Sequence, residues 1–224
     1  MAKDYSVFDI VGPNMIGPSS SHTAGAARIG KMAFKIAEEK IVDVKFYLHG
    51  SFAETYRGHG TDRALLGGIL GFEPDDVRIR NSFDIAKENG INFEFIKFDL
   101  GEDAHPNTVR IDMTLESGKT CSVMGASIGG GNIKLTEMDG LKLDFNGSKF
   151  GCVVEIMDKP GSISKVVKIL GEANKNISSV YTDKSDRLDY IFITIETDEV
   201  IEKEIIQSIR ECNVVEKIIV LNKF

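Results

Sequence analysis

The chain has 224 residues, 42% hydrophobic and 27% charged, with a formal net charge of −7. That length exceeds one average domain of ~100–150 residues, so two domains are expected. No Lys/Arg stripe of the kind nucleic-acid binders carry is present, nor any run near the ~20 apolar residues of a membrane span, nor a signal peptide. This reading therefore excludes nucleic acid and membrane as partners and places the chain in the cytoplasm. The three cysteines, Cys121, Cys152 and Cys212, are odd in number, far apart and without a C-x-x-C pair. Reduced thiols are expected, with no metal site on this chain.

Taken in chain order, the first element is a helix capped at Ser19 or Ser20 and running to about Glu39. Ile29, Met32, Ala33, Ile36 and Ala37 form its apolar face. Val42, Val44, Phe46 and Leu48 alternate with polar residues as a strand. The stretch from His49 to Gly60 reads as a loop. A second helix starts at Thr61, its expected N-cap, and stops at Gly71. A short helix follows Ser82 and ends near Gly90. Ile91 to Phe98 begins as an alternating strand and loses phase after Phe95, which predicts a bulge. Val109–Leu115 and Thr120–Met124 make a hairpin, followed by strand-like pieces at Ile133–Leu135 and Leu141–Phe145.

Asn146–Gly147 is a turn signal and the expected boundary between domains 1–146 and 147–224. Beyond it the periodicities predict a strand at Phe150–Ile156, a helix at Gly161–Asn174 and strands at Ile177–Thr182 and Leu188–Glu196. A helix at Glu199–Cys212 and a strand at Val214–Leu221 complete the set. This β-α-β-β-α-β order is ferredoxin-like. The fold class is α+β: an α+β unit followed by a ferredoxin-like one.

Four stretches carry candidate chemistry. In "GPSSSHT" the hydroxyls of Ser19, Ser20, Ser21 and Thr23 and the imidazole of His22 stand at a helix start. Free N–H groups and the positive end of the helix dipole there bind anions, a small carboxylate or a phosphate among them. Plain capping explains one hydroxyl, not four. In "GHGTD" His59 sits between two glycines, just before Thr61 and Asp62 at the second helix start. "GASIGGGNI" offers Ser127, Gly129, Gly130, Gly131 and Asn132 as an anion-binding loop, with a flexible turn as an equal reading. "MDKPGS" holds Asp158, Pro160 and Gly161 in a β-to-α turn that a ligand or partner chain could approach. His49 and His105 lack such surroundings and read as structural or exposed.

Together, "GPSSSHT", "GHGTD" and "GASIGGGNI", in this order and before a ferredoxin-like tail, resemble the β chain of bacterial iron–sulfur-dependent L-serine dehydratases (L-serine ammonia-lyases). The tail, with "DKPG", resembles an ACT domain, and the first domain is similar to the allosteric-substrate-binding domain of some phosphoglycerate dehydrogenases. The resemblance implies a lyase subunit acting on L-serine with a 4Fe–4S cluster. It puts the cluster ligands on a partner α chain, with no fused α region here and no activity without that chain. It implies a carboxylate cradle at Ser19–Ser21 and Thr23, extended by Thr61 and Asp62, and catalytic roles for His22 and His59. Asp158, Pro160 and Gly161 would be regulatory, with self-association through the ACT domain. The competing reading is a non-catalytic amino-acid-sensing regulatory subunit.

Overall fold

The structure, a computed structural model, describes residues 14–184, 188–221 and 223. The first predicted helix forms, but its opening residues Ser20–Gly25 wind as a π-turn before α1 (Ala26–Ala37) begins. Ser19 is extended (φ −140°, ψ 126°), and its Oγ accepts the backbone N–H of His22. The apolar face of α1 is buried at every residue expected.

After β1 (Ile41–Leu48), the stretch expected to be a loop contains a helix, α2 (Gly50–Thr55). Next comes α3 (Thr61–Ile69). Thr61 is not its cap. Gly60, in the left-handed region (φ 70°, ψ 21°), holds the cap position, and Thr61 lies inside the first turn with no capping bond. The tight reversal after His59 needs positive φ, which glycine adopts without cost. Gly71 ends the helix as expected, at φ 81°, its N–H bonded to the Gly68 carbonyl. A 3₁₀ turn (Val77–Asn81) leads into α4 (Ser82–Glu88).

The first sheet has the order β2-β1-β3-β4-β5-β6, with β2 (Asn92–Lys97), β3 (Thr108–Leu115), β4 (Thr120–Gly129), β5 (Asn132–Met138) and β6 (Leu141–Phe145). β2 pairs parallel with β1 in unbroken register from Asp43↔Asn92 to Leu48↔Lys97, so the expected bulge is absent. The lost phase has another cause. On this edge strand Phe93 and Phe95 pack against Phe83, and Phe95 stacks on Phe46 at 4.6 Å, while Ile96 turns to the opposite face.

The feature that positions the candidate site is the contact between α1 and α3. A β-carbon on Gly30 would lie 2.2 Å from the Leu65 carbonyl oxygen, and one on Gly68 2.2 Å from that of Ala27. Glycine at both positions lets the two backbones touch. Thr23 meets His59, Gly30 meets Leu65 and Gly68, and Phe34 meets Gly71, so the helices run parallel and both begin at the same end.

Two compact units divide between Gly140 and Leu141. The turn signal at Asn146–Gly147 lies six residues later, after β6. The second unit contains β7 (Phe150–Met157), α5 (Ser162–Glu172), β8 (Ile177–Lys184), β9 (Tyr190–Thr197), α6 (Lys203–Arg210) and β10 (Val215–Leu221). Its antiparallel sheet has the order β10-β7-β9-β8, the ferredoxin-like arrangement expected. The β8–β9 connection runs through 185–187, outside the described residues. The core is aliphatic: Val154, Ile156, Val166, Leu170, Ile193, Ile195, Ile209 and Ile218, with Cys152 among them. Each such side chain contributes about 1.5–3 kcal/mol when fully buried.

Candidate functional site

The shared start of α1 and α3 gathers the residues of the first two motifs. His22 sits in the π-turn, a helix irregularity often found at functional sites. Its Nδ1 is 3.3 Å from Ser19 Oγ and its Nε2 3.2 Å from Ser51 Oγ. The His59 ring meets it at a centroid distance of 4.7 Å and an interplanar angle of 66°, and Phe52 packs on it at 5.3 Å. Thr23 Oγ1 donates to the His59 carbonyl oxygen at 3.5 Å. Burial, helped by the neighbouring His59, holds the His22 imidazole below its ordinary titration range, with a hydrogen bond to the Ser51 backbone opposing. Neutral His22 is therefore the form present near pH 7.

Gly25 closes the π-turn against β4. A β-carbon there would fall 2.1 Å from Ser127 Oγ, so Ser127 packs directly under the turn. Ser127 is fully buried, and its backbone N–H donates to the Asn107 carbonyl at 3.0 Å. His59 Nδ1, Thr61 Oγ1, Ser127 Oγ and Asn107 Oδ1 are all buried without a hydrogen-bond partner among the described residues. A buried polar atom left unpaired costs roughly 1–3 kcal/mol. Such atoms in a folded chain call for an explanation, a polar group from outside being one. Asp62, in the first turn of α3, is nearly buried; burial raises its carboxyl pKa, and its Oδ1 accepts the Arg63 N–H at 2.8 Å.

The structure thus brings Ser19, His22, Thr23 and His59 into contact and sets Ser127 beside their turn. Ser20 and Ser21 are half-buried in the π-turn. The glycine-rich stretch is the end of β4 and a hairpin turn. Gly129 pairs with Asn132, and Gly130 and Gly131 (φ 60° and 79°) form the two-residue loop, whose Gly131 carbonyl accepts Arg28 Nη1 at 2.6 Å. Asp158, Pro160 and Gly161 belong to the second unit, where Gly161 (φ 87°) holds the cap position of α5 and the Ser162 hydroxyl beside it is buried and unpartnered. His49 accepts the Leu100 N–H, and His105, exposed, that of Asn107.

Sequence reasoning missed Ser51, Phe52 and Asn107. Ser51-x-x-Glu54 resembles a helix-start signature, although Ser51 lies inside α2, whose cap position is held by His49; nothing in the sequence marks Asn107. A concavity of about 560 Å³ in the first unit lies elsewhere, lined by residues such as Lys45, Tyr47, Arg110 and Asp112. It contains neither histidine; His22 and His59 meet at the helix starts instead.

Among the described residues no group of three or more His, Cys, Asp or Glu side chains is arranged to hold a metal ion. Cys152 is buried in the second unit's core, its thiol pushed up to about 12 by desolvation, while Cys121 lies on β4 of the first sheet and Cys212 follows α6. These thiols do not form the thiolate set an iron–sulfur cluster needs.

A mixed-sheet α+β unit with paired histidines at two helix starts, followed by a ferredoxin-like unit, defines the class. The family described as serine dehydratase beta chain matches residues 6–138, and the ACT domain family matches residues 152–213. The chain belongs to the serine dehydratase β-chain family. It is 45% identical over 196 residues to the L-serine dehydratase β chain of Peptoniphilus asaccharolyticus, covering 88% of each. It is 44% identical over 207 residues to the probable L-serine dehydratase β chain of Bacillus subtilis, covering 91% of this chain and 92% of that one. D-3-phosphoglycerate dehydrogenase of B. subtilis matches at 25% identity over 82% of this chain and 35% of its own length.

Proposed function

We propose that this chain is the β subunit of an L-serine dehydratase, inactive alone, that cradles the substrate carboxylate and supplies His22 and His59 to a site completed by an α chain. One observation carries this reading: His22 and His59 meet ring to ring where the parallel α1 and α3 both begin. There the dipole of α1 and the hydroxyls of Ser19, Ser20, Ser21 and Thr23 would hold a carboxylate, with Thr61, Asp62 and Ser127 behind them. Conversion of serine to pyruvate and ammonia removes a Cα proton and the β-hydroxyl. A neutral imidazole can accept a proton near pH 7, and His22 is held in that form by burial. The 4Fe–4S cluster would be held by the α chain, because the thiols of this chain do not make a ligand set; no step is assigned to it.

The domain limits 1–146 and 147–224, the anion-binding role of Gly129–Asn132, the regulatory role of Asp158, Pro160 and Gly161, and self-association through the ACT domain belong to the same proposal. The ACT match favours the second reading, an amino-acid-sensing subunit without catalytic residues. Anaerobic mixing with the α chain decides between them by pyruvate formed from L-serine. The first reading expects activity from the mixture and from neither chain alone, and a fall of at least ~100-fold in His22→Ala or His59→Ala mixtures. Full activity in both variants would leave the sensor reading.

A further inference from the structure

We propose that Ser51, on α2, is a positioning residue for His22: its hydroxyl accepts from Nε2–H and, with Ser19 donating to Nδ1, locks the imidazole in a single tautomer. The inference deepens the reading of the site given above and rests on it for its functional meaning. Its geometric part stands alone.

Ser19 Oγ already accepts the backbone N–H of His22. The same oxygen lies 3.3 Å from His22 Nδ1, and with one of its two lone pairs engaged by the N–H the Ser19 proton is assigned, in this proposal, to the ring nitrogen. Nδ1 is then the acceptor nitrogen and Nε2 carries the hydrogen. At 3.2 Å, Ser51 Oγ is the partner of that hydrogen, and the Ser51 proton is left to donate onward to a ligand. A hydroxyl that accepts one hydrogen bond donates a stronger one, so the three groups polarise each other.

The placement of Ser51 is fixed from outside the site. Gly50 has φ 52°, and a β-carbon there would lie 2.7 Å from the Pro106 carbonyl oxygen, so α2 is seated directly on that chain. The Phe52 N–H bonds the same carbonyl at 3.3 Å. Thr55 Oγ1 donates to the Ser51 carbonyl at 2.8 Å, a further tie between Ser51 and its own helix. Phe52, the neighbour of Ser51, packs on the same ring. His22 is thus gripped from α2 on one side and from its own π-turn on the other. The titratable group facing it is His59, ahead of α3. From α2 it meets Ser51 and Phe52, and from its own turn Ser19, none of them charged.

The test uses the full chain labelled with ¹⁵N-histidine. Long-range nitrogen–proton correlations report which ring nitrogen of His22 is protonated. The expected result is a predominantly Nε2–H ring in the wild type. In Ser51→Ala the tautomer ratio should fall by about fivefold, the effect of one lost hydrogen bond, and His22 should titrate at lower pH; Ser51→Thr should restore both. A predominantly Nδ1–H wild-type ring, or an Ala variant indistinguishable from wild type, overturns the inference. The wild-type spectrum decides by itself should Ser51→Ala fail to fold. With the α chain added, the acid limb of the kcat/KM profile should move to lower pH in Ser51→Ala. A changed spectrum with an unchanged profile supports the positioning role and overturns the catalytic reading of the site instead.

Discussion

The two units bury different things. The second has an aliphatic core, to which α5 contributes Val166 and Leu170, four residues apart, and α6 contributes Ile209. The first buries hydroxyls and an imidazole where α1 and α3 begin, at Thr23, Thr61, Ser127 and His22, and glycines against backbone or side chains at Gly25 and, further along the two helices, at Gly30 and Gly68. Apolar burial stabilises wherever it occurs, whereas unpaired buried polar atoms cost stability and persist only where something else requires them. The contrast supports the proposed site: of the buried polar atoms without a partner among the described residues, four belong to His59, Thr61, Asn107 and Ser127 of the first unit, and Ser162 is the second unit's counterpart.

The largest effect that would sharpen this contrast is chemical. Cys152 lies in the second unit's core with its thiol pushed up to about 12, against an ordinary value of 9.0. Its thiolate fraction at pH 8 is therefore about a thousandfold below that of an ordinary cysteine. Alkylation of the native protein followed by peptide mass spectrometry should modify Cys121, which is partly exposed, and spare Cys152 until the protein unfolds. Modification of Cys152 at the rate of Cys121 would break the picture of a closed aliphatic core.

Next in size is the glycine contact. Gly30→Val forces side-chain carbons into the Leu65 carbonyl and should destabilise the chain by about 3 kcal/mol, the upper end for overpacking. Urea unfolding measures it. Gly171, on α5, has open space where a β-carbon would go, so Gly171→Ala should stabilise by about 0.5–1 kcal/mol. Opposite signs from the two units are the expected outcome. Equal and small effects would mean that α1 and α3 are not in backbone contact.

The smallest effect is a pH dependence. The folded-state pKa of His22 lies below its ordinary 6.5, so the unfolded chain binds the proton more readily. The stability that His22 contributes is fully present above pH 6.5 and is lost as pH falls through the lower folded value. Unfolding free energies measured downward from pH 7 should decline less steeply in His22→Gln than in wild type. Identical slopes would place His22 in water.

How much of this was legible follows the same division. The second unit's elements came from periodicity alone, because aliphatic burial leaves a period in the sequence: Ile163, Val166, Val167 and Leu170 trace one face of α5. In the first unit the motifs named Ser19, His22, Thr23, His59, Thr61, Asp62 and Ser127, while Ser51, Phe52 and Asn107 stayed hidden. α2 is six residues long and buries only Phe52, too little for a periodic pattern. Thr61 looked like a cap because threonine commonly is one, yet the reversal after His59 required glycine at the cap position. β2 mimicked a bulge because an edge strand carrying Phe93 and Phe95 on one face and Ile96 on the other is apolar on both. The glycines of α1 and α3 gave no sign of a mutual contact, since close approach is a relation between segments and leaves no local pattern.

The central claim is that His22 and His59 work as one unit at the joined helix starts. A double-mutant cycle on the α-complemented enzyme tests it most directly, with kcat/KM for L-serine as the readout. The account predicts that His22→Ala and His59→Ala each cost at least ~100-fold, and that the double variant costs little more than either alone, as for residues acting together. Losses that multiply, or a variant that keeps full activity, would contradict it.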